Sequence, residues 1–186
     1  MTMSIRKIIT PENRVLRQKA RRVAQITPEI QVLIDDMIET MREAPGLGLS
    51  APQVGQGLRL FVAEYADQPE PAGEEAAGES GNEARKVPPK LYVLINPEIV
   101  RASVEMAEGT EGCLSIPGYA GTVERHEAVT VKALNRKGSP IKIKAKGWLA
   151  RIFQHEVDHL EGVLYIDRAS RVWRIEEGEE AQTDPV

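Results

Sequence analysis

Three histidines, His126, His155 and His159, and one cysteine, Cys113, are all the imidazole and thiol that this 186-residue chain carries. Any chemistry relying on those groups must therefore be assembled from four positions. Two of the histidines fall in QHEVDH, residues 154–159, a match to the pattern H-E-x-x-H. Histidines four apart on a helix project from one face, so His155 and His159 can each offer a ring nitrogen to the same ion. Glu156, one residue past the first ligand, then stands beside the ion, where it can take a proton from water. The bland alternative is a pair of structural histidines on a core helix.

A catalytic metal site needs a third protein ligand and an open position. Glu176, Glu177, Glu179 and Glu180 follow His159, but they sit in an acidic tail with little to hold them rigidly. His126 lies in the charged stretch ERHE, which reads as strand surface. Cys113 lies in EGCLSIP, where the glycine permits close backbone approach and a thiolate can be sheltered. Against that stands the common role of a lone cysteine as a small buried hydrophobe. A further cluster, GLGLSAPQVG at residues 46–55, has two glycines two apart, which let the main chain approach a ligand, and Gln53, whose amide both donates and accepts. No G-K-S/T follows, so it is not a phosphate loop.

These groups need elements to position them. Residues 148–161 read as a helix with Gly162 as its stop. Trp148 and Ile152 precede His155 by seven and three positions, share its stripe, and should wall a pocket beside the ion that suits an unbranched thioether, unless they are ordinary core. Residues 11–23 and 27–43 read as two further helices, the second with Ile30, Leu33, Ile34, Met37, Ile38 and Met41 at 3/4 spacing, Thr27 as N-cap and Pro28 at the first helical position. Residues 58–63 and 91–95 read as strands, and 122–134 with 140–146 as a hairpin turning at Lys137-Gly138. Helices at both ends and strands between them predict an α+β fold rather than a wound parallel sheet. We expect one catalytic domain over residues 1–175, with an acidic Gly/Pro-rich surface loop at 66–90 and a disordered acidic tail at 176–186.

Composition narrows the classes. A formal charge of -4 argues against a dedicated DNA or RNA binder. The acids concentrate in the loop and the tail, leaving a mildly basic body. Arg168, Arg171 and Arg174, at threefold spacing, could meet ribosomal RNA or solvate a short helix. No apolar run approaches the roughly 20 residues of a membrane helix, and a single cysteine excludes an intrachain disulfide. A reducing cytoplasm fits best.

Taken together and in this order, GLGLSAPQ, EGCLS and QHEVDHLEG resemble the three signature motifs of the peptide deformylases, and the resemblance extends over nearly all of residues 5–170 apart from the acidic loop. It implies antiparallel strands around a central metal-binding helix, and removal of the formyl group from the N-terminal methionine of nascent polypeptides with release of formate. It further implies Cys113, His155 and His159 as metal ligands, Glu156 as acid/base, and Gln53 with the backbone N–H of Leu114 as donors to the oxyanion. The ion implied is one divalent metal, ferrous iron in the cell with zinc or nickel as substitutes. An extended peptide is expected to pair with backbone near Leu47, Gly48 and Gly112, a mode that reads no side chain. Two departures stand out: Ser50 occupies a place where the motif usually has alanine, and the 66–90 loop is longer than the usual connection. We also expect Arg125 to pair with Asp158 in support of the site.

Overall fold

In a computed structural model of the chain, residues 4–66 and 88–175 are described. The acidic loop lies almost wholly, and the acidic tail with its glutamates wholly, outside the described residues.

Helix α1 (Pro28–Glu43) forms where the 3/4 spacing places it, burying Leu33, Ile34, Met37, Ile38 and Met41. Thr27 occupies the N-cap position without a side-chain capping bond to the helix backbone, while Pro28 opens the first turn. Beneath α1 run β1 (Gly48–Ser50) and β2 (Leu60–Tyr65). They continue through β3 (Lys90–Ala102) into β6 (Ala128–Leu134) and β7 (Pro140–Lys146), giving a five-stranded sheet in the order β1-β2-β3-β6-β7, antiparallel throughout. A second sheet, β4-β5-β8, joins β4 (Met106–Gly112), β5 (Tyr119–His126) and β8 (Arg171–Arg174). Helix α2 (Gly147–Glu161) packs against strands of both sheets. Its apolar residues Leu149, Ala150, Ile152, Phe153 and Leu160 share a core with Phe61, Leu94 and Val131. Gly162 ends it at φ 78°, the left-handed cap expected of glycine.

Three expectations are corrected. Residues 11–23 form no α-helix, only a 3-10 turn over Arg14–Arg17. The backbone beyond it is extended and spent on long-range bonds, Ala20 N–H to Leu160 O (2.8 Å) and Arg21 N–H to Gly57 O (3.0 Å). It also crosses Gly162 so closely that a Cβ there would lie 2.8 Å from the Arg17 carbonyl. The stretch 122–134 is not one strand. It breaks at Glu127, whose N–H and carbonyl bond Glu105 and Gly147, so β5 and β6 belong to different sheets. The β6–β7 hairpin does turn at Lys137-Gly138, with Gly138 at φ 81° and the Asn135 side chain accepting from Lys137 and Ser139 N–H. Finally, Arg171 and Arg174 lie on a strand rather than a helix.

Candidate metal centre

Two elements deliver the three ligand candidates. Strand β4 runs into Cys113, held by a turn in which Ile116 N–H donates to the Cys113 carbonyl (2.8 Å). Helix α2 presents His155 and His159 from one face. One ligand atom from each of Cys113, His155 and His159 lies within 4.8 Å of the others, and all three residues are buried. Cys113 Sγ is 3.3 Å from His159 Nε2; a tetrahedral ion with ordinary sulfur and nitrogen bond lengths would set such atoms about 3.5 Å apart. His155 bonds through Nδ1 to Glu111 Oε2 (2.9 Å), while its buried Nε2 has no hydrogen-bond partner. An orphaned imidazole nitrogen beside a thiol and a second imidazole is the donor set of a divalent metal.

Electrostatics suit that use. Burial and the neighbouring His155 hold His159 well below its ordinary value, hence neutral. Burial also opposes charge on His155, but Cys113 and Glu111 outweigh it and push the imidazole up to about 10, so without metal it keeps a proton. Glu156 is 1% exposed, and neither carboxylate oxygen has a hydrogen-bond partner. Burial pushes it up to about 7, against the pull of His155 and Ser50. That is the range in which a carboxyl exchanges protons at neutral pH. Its carboxylate rests on Gly48: a Cβ there would lie 2.4 Å from Glu156 Oε1. Gln53 is buried with Nε2 3.5 Å from Cys113 Sγ. Leu114, next along the chain from Cys113, gives its N–H to no backbone carbonyl among the described residues.

The remaining predicted residues fall into place less evenly. Gly48 lies on β1, which has a neighbour on only one side. The Leu47 carbonyl is taken by Glu64 N–H (2.9 Å) across the β2 side, so in an antiparallel pair the Gly48 groups face the open edge. Gly112 ends β4, also an edge. Ile152 is fully enclosed in the main core, and Trp148 is half-buried at its margin with Arg151 over its ring. His126 stays apart from the triplet, its Nδ1 bonded to the Ser103 carbonyl (2.8 Å).

What the sequence reading lacked is Glu111. Fully buried on β4, it accepts from His155, from Arg125 (Nε and Nη2, both 2.9 Å) and from Arg151 Nη1 (2.9 Å). Burial opposes charge on it, but Arg125 and His155 outweigh burial and hold its carboxyl far below the usual range. Arg125 continues to Asp158 (2.5 Å), as expected, and Asp158 is clasped in turn by Arg168 (2.6 and 2.8 Å). A carboxylate on a ligand's second nitrogen fixes the tautomer and aims the first nitrogen at a metal. The one available signal was its place in EGCLS, two residues before Cys113.

A buried Cys-His-His triplet with an unpartnered carboxyl beside it, on a helix enclosed by antiparallel sheets, is the constitution of a metal-dependent hydrolase. Comparison makes the class specific. The polypeptide deformylase family model matches residues 5–174. A peptide deformylase of Symbiobacterium thermophilum is 48% identical over 181 residues, covering 97% of this chain and 74% of that protein. A peptide deformylase structure from Legionella pneumophila superposes with a TM-score of 0.74 at 41% identity, covering 90% of this chain and 87% of that one. A Met-Ala-Ser-bound class I type b peptide deformylase from Acinetobacter baumannii gives 0.75 at 34% identity, covering 90% and 99%. The chain belongs to the polypeptide deformylase family, metal-dependent hydrolases that remove the N-formyl group from nascent polypeptides. Among the described residues no helix is long and apolar enough to cross a membrane.

Proposed function

We propose that the chain deformylates nascent formyl-methionyl peptides with Cys113, His155 and His159 holding one divalent ion and Glu156 moving the proton. The observation that carries this reading is the convergence of the three ligand atoms within 4.8 Å beside a buried carboxyl without a partner. A divalent ion bound there supplies Lewis acidity toward water and the formyl oxygen. Glu156 takes the proton of the attacking water and delivers it to the departing amine nitrogen, leaving formate and a free N-terminus. The Gln53 amide and the Leu114 N–H donate to the formyl oxygen as negative charge grows on it, and being held in advance they need no reorganisation. Gly48 and Gly112 pair with the peptide backbone along the open strand edges, with Leu47 anchoring that edge to β2. Trp148, half-buried on the His155 stripe, receives the methionine side chain, with the enclosed Ile152 forming the floor behind it. That the Acinetobacter relative holds Met-Ala-Ser supports a peptide beginning with methionine as the ligand.

For the ion we favour ferrous iron in the cell, with zinc or nickel as substitutes, since one thiolate and two imidazoles suit all three. We place the enzyme in the cytoplasm. For contact with the ribosome we favour Arg171 and Arg174, exposed on β8, because Arg168 is engaged by Asp158. Anaerobic purification with metal analysis, followed by formate release from a formyl-Met peptide and its acetyl counterpart, tests the reading. Preference for formyl supports it, and internal cleavage of a longer peptide by the same helix would replace it with an endopeptidase. Cys113→Ser should lose metal and activity together; retention of both would name another third ligand.

A further inference from the structure

We propose that Ser50 is a positioning residue: its hydroxyl locks the Gln53 amide with the NH2 group turned toward the metal centre. The inference rests on the reading above, in which that NH2 meets the formyl oxygen. Ser50 ends β1 and is fully buried. Its backbone N–H and its Oγ each lie 2.8 Å from the same atom of Gln53, Oε1. A backbone N–H can only donate, so the atom it meets is the amide oxygen, and the hydroxyl must donate there as well. Both lone pairs of that oxygen are then filled from one residue. A flipped amide would set NH2 against N–H, donor against donor, so the flip is excluded and Nε2 is left on the side of Cys113 Sγ, at 3.5 Å.

The backbone around Gln53 has little freedom. Ile9 N–H donates to the Gln53 carbonyl (2.8 Å), and Gln56 N–H closes onto Ala51 O (2.9 Å). Gly55 completes the turn at φ 77°. What stays soft is the terminal amide torsion, which is intrinsically broad. The Ser50 N–H alone restrains the oxygen from one direction; the hydroxyl adds the second. An alanine at this position, the residue usual in the motif this chain resembles, would leave only the first. Ser50 thus acts through Gln53; its side chain also draws on the neighbouring Glu156 carboxyl, and removing Gln53 separates the two effects.

The test is a double-mutant cycle on the metal-loaded enzyme, with kcat and KM for a formyl-Met peptide measured in wild type, Ser50→Ala, Gln53→Ala and the double variant. Loss of one neutral hydrogen bond predicts a fall in kcat of about fivefold for Ser50→Ala. KM should stay near wild type and the thermal midpoint should fall by only a few degrees, Ser50→Thr should recover rate, and in the Gln53→Ala background Ser50→Ala should cost nothing in rate. The second readout is NMR on the zinc form: the Gln53 side-chain amide pair, assigned by its loss in Gln53→Ala, should exchange faster and broaden in Ser50→Ala. An unchanged kcat with an unchanged amide signal overturns the proposal, as does a Ser50→Ala penalty that persists undiminished without Gln53. If the wild type released no formate, the functional reading would fall while the amide signal still decided the role of Ser50.

Discussion

Glu156 offers a test in which activity and stability move in opposite directions. Its carboxyl sits near 7 in the folded chain against 4.5 in the open, because burial strips it of water and the pull of His155 and Ser50 falls short of the lost hydration. A carboxyl whose folded value is raised is a burden whenever the unfolded chain would ionise it. The sign is therefore fixed: the penalty is absent well below pH 4.5, grows as pH rises toward 7, and is constant above. At about 1.4 kcal/mol per unit of displacement it amounts to about 1 kcal/mol at pH 5 and about 3 kcal/mol at pH 8.5. Glu156→Gln keeps the shape and removes the ionisation. Urea denaturation of the metal-free protein should therefore find the variant more stable by about those amounts at the two pH values, while formate release by the loaded variant falls at least 10²-fold. The pH dependence of groups that do not interact with Glu156 cancels in the difference between variant and wild type. A difference that does not grow between pH 5 and 8.5 refutes the assigned burial penalty, and retained turnover refutes the assigned proton carrier.

Gly48→Ala would set a methyl 2.4 Å from Glu156 Oε1, forcing the carboxylate back by about 1 Å; kcat should fall about 10²-fold with metal content intact, and a rate near wild type would show that Glu156 has room to adjust. Glu111→Gln strips the shared carboxylate from Arg125, Arg151 and His155, which should cost about 3–5 kcal/mol in urea denaturation and about 10–100-fold in metal affinity by chelator competition; unchanged affinity would detach Glu111 from the metal site. Because the Glu111 carboxyl lies far below the ordinary 4.5, its stabilisation is complete above that pH and drains away as pH falls beneath it, so the acid limb of wild-type unfolding should flatten in this variant. His155 held to about 10 predicts that metal uptake at pH 7 expels its proton; calorimetry in buffers of different protonation enthalpy reads the proton count, and a count of zero would mean that His155 is already neutral.

Where the sequence was readable, one element carried its own signal. The period of α1, the spacing within QHEVDH and the glycine after α2 are local, and each appears where its pattern put it. Where it misled, the deciding partner was remote. Leu16, Ala20 and Val23 are all buried and fall at helical spacing, yet from Gln18 on the backbone leaves the helix because Leu160 and Gly57 claim its N–H groups. Strand β4, MAEGTEG, has little β propensity and two glycines; it exists because β5 pairs with it and because Gly109 leaves room for Arg151, whose guanidinium would lie 2.7 Å from a Cβ there. Glu111 is the sharpest case. An acid in a weak strand reads as solvated surface, and its true surroundings lie 14, 40 and 44 residues away in Arg125, Arg151 and His155. Arg151 in turn donates to Ala107 O and Val123 O, so the group that orients a metal ligand is held by the charges that fasten β4 and β5 to α2. An uncompensated acid could not stay there, and an uncompensated arginine could not either. The ligand's orientation and the junction between sheet and helix therefore rise or fall as one unit, and it is the junction, invisible to local pattern, that brings Cys113 within reach of the two histidines.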